Sequence, residues 1–190
     1  MPLTSSSTIT STCFCGKACI SVKGPPVHSH YCHCNMCQSL HGAPFGHIAV
    51  FKEDQLIPPS NLQGLFDNYD FLDRVMVYRC KVCGCPLFSW TKNYKSWGLY
   101  LGANITFVDE EGKGDGRKVR TMEEPEFEGI MHMFYGDRQR DVRDGLPKWI
   151  GLPGASKQIL DHWKILTGIC AWLGWIRLYF YRSRKCVAWR

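Results

Sequence analysis

The chain has 190 residues, 45% hydrophobic and 21% charged, which is enough for one domain with a real core, or one domain plus a tail. Its net charge of +6 lies wholly in the last 34 residues, where Lys157, Lys164, Arg177, Arg182, Arg184, Lys185 and Arg190 stand against Asp161 alone. The first 156 residues balance 16 basic against 16 acidic side chains and carry no overall bias toward polyanions, so no nucleic-acid partner is expected. Eleven cysteines leave two classes, a secreted disulfide framework or a metal protein of a reducing compartment. Residues 1–12 are polar and Ser/Thr-rich, with no basic start and no apolar h-region, so no secretory signal is expected. The spacings C-x-C, C-x-C-x-x-C and C-x-x-C are too tight for ordinary disulfide geometry. Zinc on thiolates, in a cytoplasmic protein, is the expectation.

In chain order, residues 1–12 read as a loose lead-in. Cys13-Phe14-Cys15-Gly16 follows, then an alternating strand over 18–22 that Gly24-Pro25-Pro26 stops. The next stretch, Tyr31-Cys32-His33-Cys34-Asn35-Met36-Cys37-Gln38, is the densest in the chain. Strands are predicted over 45–51, 62–69, 74–80, 87–90, 97–101 and 104–108, and the three glycines of 111–116 read as an exposed turn. Many short strands between turn signals predict an all-β domain over 13–155. From residue 156 the chain becomes basic and Trp-rich. Ile159, Leu160, Trp163, Leu166, Cys170 and Leu173 recur at helical spacing, which predicts a C-terminal helix. Its uncharged run, 165–176, has 12 residues against the roughly 20 that span a bilayer. The tail suits packing on its own domain or on a twin subunit in a homo-oligomer. Its Tyr179, Phe180 and Tyr181 beside arginines also suit weak attachment to a membrane surface.

Ligand counting divides the cysteines. Zinc takes thiolates tetrahedrally; four protein ligands close a structural site, and three leave a place for water or substrate. Cys13 with Cys15, and Cys80 with Cys83, each lack two partners and together complete a four-thiolate site. Cys32, Cys34 and Cys37 remain as a set of three, open unless Cys19, Cys85, His33, His41 or His47 closes it. Three thiolates give zinc a net charge of about −1, a weak activator of water but a good holder of a further thiolate. The chemistry this favours is sulfur chemistry, with a second closed zinc site as its rival. Asn35 and Gln38 could hydrogen-bond the ligand sulfurs. Trp90, Trp97, Tyr100, Tyr69, Tyr78 and Phe88 read as core.

Cys13-Phe-Cys-Gly, Cys32-His-Cys-Asn-Met-Cys-Gln with Gly42-Ala-Pro-Phe, and Cys80-Lys-Val-Cys-Gly, in this order, resemble the glutathione-dependent formaldehyde-activating enzyme family, whose other namesake is centromere protein V. The likeness runs on to Asp144-Gly-Leu-Pro-Lys148-Trp149. It implies an all-β, β-tent-like fold of small antiparallel sheets. It also implies a structural zinc on Cys13, Cys15, Cys80 and Cys83 and a catalytic zinc on Cys32, Cys34 and Cys37. The activity implied is carbon–sulfur lyase chemistry, glutathione adding to formaldehyde or a related glutathione adduct being processed. His33, Asn35 and His132 are the candidates for moving protons. Cys85 stands where the family usually has a small polar residue, and the tail has no counterpart in the family core. The alternative is a non-catalytic, zinc-stabilised binding module.

Overall fold

The computed structural model describes residues 3–102, 104–108 and 125–159. The predicted C-terminal helix and the glycine-rich turn of 111–116 lie outside the described residues. Thirteen strands are found among the described residues: β1 Thr8–Thr12, β2 Cys19–Lys23, β3 His28–Cys32, β4 Gly46–Lys52, β5 Leu56–Ile57, β6 Phe66–Phe71, β7 Val75–Cys80, β8 Pro86–Thr91, β9 Ser96–Tyr100, β10 Asn104–Val108, β11 His132–Met133, β12 Lys148–Trp149 and β13 Gln158–Ile159. Two short helices join them, α1 Asn35–His41 and α2 Leu62–Leu65.

One sheet has the order β10-β1-β2-β5 and is antiparallel in each of its pairs. In the larger sheet the order β13-β12-β11-β3-β4-β9-β8-β7-β6 is antiparallel from β3 to β6. The small-antiparallel-sheet expectation fails at the other end, where β11 pairs parallel with both β3 and β12. Those pairs are short because a loop segment is recruited to the edge of β3 by a few backbone hydrogen bonds, Tyr31 N–H to Met131 O (3.0 Å) and His33 N–H to Met133 O (2.9 Å).

The core follows from strand alternation. Ile9 of β1 and Ile20 and Val22 of β2 point inward, and meet Phe51, Phe66, Leu87, Phe88, Leu99 and Ile105 in one buried cluster. A smaller cluster holds Cys32, Cys37, Ile48, Val77 and Tyr100. Residues 8–12, expected to be loose, form β1 between β2 and β10. The Ser/Thr run hides the strand because Ile9 is its one apolar residue. Thr has good strand propensity, and the Thr10 and Ser21 hydroxyls pair across the ladder at 2.9 Å. The strand expected over 62–69 opens instead as a helical turn: the Asn61 side chain caps α2 by accepting from Gly64 N–H, and β6 begins only at Phe66.

Candidate functional site

Two hairpin turns bring four cysteines together. Cys13 follows β1 and its N–H bonds Ala18 O across the β1–β2 turn (2.9 Å); Cys80 ends β7 and its N–H bonds Cys85 O across the β7–β8 turn (2.9 Å). Each turn needs a left-handed residue, Gly16 at φ +73 and Gly84 at φ +69. The sulfurs of Cys13, Cys15, Cys80 and Cys83 all lie within 4.8 Å of one another. Contacts of 3.5 Å (Cys13 to Cys15) and 3.8 Å (Cys15 to Cys80) compare with the roughly 3.8 Å between sulfurs of a zinc tetrahedron. They are far longer than a disulfide bond, and the nine cysteines among the described residues are all free thiols. The donor set therefore fits zinc. Backbone N–H groups of Ala18 and Val82 point at the Cys13 and Cys80 sulfurs (3.2 and 3.4 Å). Backbone N–H groups of Cys85 and Cys15 hold the Cys83 thiol down at about 6.

The second group is built where β3 ends. Cys32 is its last residue, and Cys34 caps α1 by accepting from Cys37 N–H at 3.4 Å, a role usually filled by Ser, Thr, Asp or Asn. One helical turn then brings Cys37 alongside. The three sulfurs lie within 4.8 Å of one another, with Cys32 donating to Cys34 at 3.4 Å. Thiols this close cannot all ionise without a cation. Hydrogen bonds from Cys32, Cys37 and the helix N–H groups draw Cys34 down to about 3; its neighbours are pushed the other way, Cys32 to about 12. Among the described residues no further Cys, His, Asp or Glu places a ligand atom within 4.8 Å of all three sulfurs.

Behind the second group runs a buried chain that the sequence only half disclosed. His33, 1% exposed, turns away from the sulfurs, and its Nε2 lies 2.8 Å from His132 Nδ1. His132 Nε2 lies 2.6 Å from Asp144 Oδ2, and Lys148 Nζ, itself 1% exposed, donates to Asp144 Oδ1 at 3.1 Å. The carboxylate must accept, so His132 carries its proton on Nε2 and accepts from His33 Nε2–H through Nδ1. His33 Nδ1 is then a buried lone pair with no hydrogen-bond partner. Burial and the neighbouring His132 and Arg138 hold His33 down at about 4, so it is neutral at pH 7. Hydrogen bonds from His132, Leu146 N–H and Lys148 outweigh desolvation and hold Asp144 down at about 2. The strand pairing of Tyr31 with His132 sets the register of this chain. The predicted sulfur contact of Gln38 does not form: its amide donates to the backbone oxygens of His33 and Asp137, bracing the loop instead. Asn35 is exposed and bonds no sulfur among the described residues. Asp144 and Lys148 were not legible as site residues, because nothing in a D-x-x-x-K loop spacing points at a histidine twelve residues upstream.

A family model described as glutathione-dependent formaldehyde-activating enzyme matches residues 8–115. The chain belongs to that family. Two curated members, each described as a putative glutathione-dependent formaldehyde-activating enzyme, come from Aspergillus flavus and Aspergillus oryzae. Each is 32% identical over 81 residues, covering 40% of this chain and 40% of the relative, so the match spans less than half of either protein. A solved Rhodobacter sphaeroides protein aligns at 18% identity and TM-score 0.43, over 60% of this chain and 95% of that one. The matched residues of this family member contain both cysteine groups, whereas His132, Asp144 and Lys148 lie beyond them. No helix among the described residues is long and apolar enough to cross a membrane.

Proposed function

We propose that this family member is a zinc-dependent enzyme of carbon–sulfur bond chemistry, with glutathione or a glutathione adduct as its thiol substrate, working in a reducing compartment on a β-tent-like frame. The observation that carries the reading is the unequal division of thiols, four in one group and three in the other. Cys13, Cys15, Cys80 and Cys83 would hold a structural zinc. Cys32, Cys34 and Cys37 would hold a second, whose chemistry would be to keep a substrate thiol ionised and in place.

The chain's own residues handle the rest. Gln38 fixes the backbone around His33, so the Cys32–Cys34 segment cannot swing. Asp144 sets the tautomer of His132, and His132 sets that of His33. That leaves the His33 Nδ1 lone pair as a buried acceptor beside Cys32 and Cys34 in sequence, with His132 and Asp144 behind it to stabilise a charge formed there. Of the three candidates for proton handling, His33 and His132 are hydrogen-bonded to one another; Asn35 has no such connection among the described residues.

Burial of Cys32 and Cys37, at 5% and 1% exposure, favours the rival reading of a non-catalytic binding module with two structural zincs. The Cys34→Ser variant separates the two. Serine is a good helix cap, so the fold should survive. The enzyme reading predicts retained secondary structure, near one zinc per chain by elemental mass spectrometry, and no glutathione-dependent turnover of aldehyde by NMR. A variant that unfolds as completely as Cys83→Ser would mark the second site as structural.

A further inference from the structure

A cavity of about 380 Å³ lies between α1, the start of β4, the end of β9 and the turn carrying Cys85. Its walls include Leu40, Ala43, Phe45 and Leu101, and among the described residues no Lys, Arg, Asp or Glu lines it. One wall is shared with the three-thiol group. A Cβ placed on Gly46 would meet His41 Cδ2 at 2.9 Å and Cys37 Cβ at 3.4 Å, and Tyr100 packs in one apolar cluster with Cys32 and Cys37. Two polar atoms of the lining are buried without a hydrogen-bond partner, the Tyr100 hydroxyl and His41 Nε2, their rings edge to face at 4.7 Å. Tyr100 is 1% exposed, and the Ser89 hydroxyl lies near its phenol without reaching hydrogen-bonding geometry. Orphaned buried polar atoms are rare in native proteins, and two on residues that line one cavity point to a ligand's polar atom as the missing partner.

We propose that this cavity binds the electrophile: an uncharged aldehyde, or the alcohol form of its adduct, carrying an apolar substituent larger than formaldehyde. For the reaction, though not for the binding, this rests on the carbon–sulfur reading above. Size argues for it, since the space equals roughly a dozen water volumes at about 30 Å³ each and formaldehyde would leave most of it empty. Charge argues the same way. The carboxylates and ammonium of glutathione would find no Lys, Arg, Asp or Glu partner among the described lining residues, which favours an uncharged occupant. The Tyr100 hydroxyl donates to the electrophile's oxygen. His41 Nε2 donates to a carbonyl in one tautomer and accepts from the adduct's hydroxyl in the other. In the addition the thiolate sulfur forms the carbon–sulfur bond and the carbonyl π pair moves onto oxygen. The proton lost from the thiol ends on that oxygen, and nothing is oxidised or reduced.

Benzyl alcohol, which cannot react, is the binding probe. Chemical-shift titration of the zinc-loaded full chain, without glutathione, should show saturable binding. Tyr100→Phe, which keeps the ring and its packing, should weaken it about tenfold, and Ala43→Leu, which fills the space, by at least as much. No saturable binding, or binding indifferent to both variants, overturns the assignment. A second arm compares kcat/KM for benzaldehyde and formaldehyde with glutathione: Ala43→Leu should lower the benzaldehyde-to-formaldehyde ratio about tenfold or more. Turnover of formaldehyde but not of benzaldehyde would sink the cavity assignment and spare the enzyme reading. Tyr100-dependent binding with no turnover of either would sink the enzyme reading and uphold the site.

Discussion

Asp144 is the residue on which two arguments converge, and Asp144→Asn perturbs both without changing shape. The wild-type carboxylate offsets the Lys148 ammonium, which is 1% exposed and bonded to Asp144 at 3.1 Å. Its carboxyl is held at about 2, against about 3.9 for a free aspartate. At 1.36 kcal/mol per unit that difference corresponds to about 2.5 kcal/mol, and the partial exposure of Asp144 reduces it to about 1–1.5 kcal/mol. Losing the Asp144 charge also leaves the buried ammonium less well compensated, although it still donates to Leu146 O at 3.2 Å, and breaking a buried pair typically costs about 3–5 kcal/mol. Because Lys148 is so deeply enclosed, the second effect should dominate, giving a loss of about 3 kcal/mol in urea unfolding at pH 7. The pH dependence has a definite sign. A depressed carboxyl stabilises the fold above its unfolded value near 4, and that contribution disappears as the pH falls through about 2. The gap between wild type and variant should therefore narrow from pH 4 to pH 2. Adding Lys148→Met to Asp144→Asn should recover stability but not turnover, since the His132 tautomer stays unset. A loss under about 0.5 kcal/mol, or a gap that widens toward low pH, would refute this account of the buried chain.

Further expectations follow from single contacts. Gly84→Ala places a side chain at φ +69, at a cost of about 1–2 kcal/mol, and should loosen the four-thiol group so that a chelator removes its zinc faster. Gly46→Ala pushes a methyl group against the His41 ring and Cys37, and should lower glutathione-dependent turnover with both zincs still bound, by activity and elemental analysis. Exhaustive chelation should unfold the chain in circular dichroism, because the four-thiol group ties the β1–β2 turn to the β7–β8 turn.

Much of the site was legible because ligand spacing is local. C-x-C-G and C-x-x-C-G announce knuckles whatever surrounds them, and the sulfurs of both predicted groups do meet. The strands around Val22, Phe51, Val77 and Leu99 were legible by alternation or strand propensity for the same reason. What stayed hidden was long-range or polar. β1 looked like a loose Ser/Thr lead-in because its partners, β2 and β10, supply the ladder. Gln38 looked like a sulfur donor until Asp137, 99 residues on, claimed its amide. The His33–His132 contact also spans 99 residues and rests on a two-residue parallel pairing that no periodicity signals. Cys85 read as a candidate ligand; its thiol donates to Pro86 O at 3.6 Å and it joins neither sulfur group.

The central claim is that the Cys32, Cys34 and Cys37 group is one ligand short and that glutathione sulfur completes it. Cadmium-113 NMR of the metal-exchanged full chain tests this directly, because the shift reports the number of sulfur ligands. The account predicts two resonances, one in the four-sulfur range and one outside it. Only the second should move, into the four-sulfur range, when glutathione is added. Two resonances already in the four-sulfur range and unmoved by glutathione would contradict it.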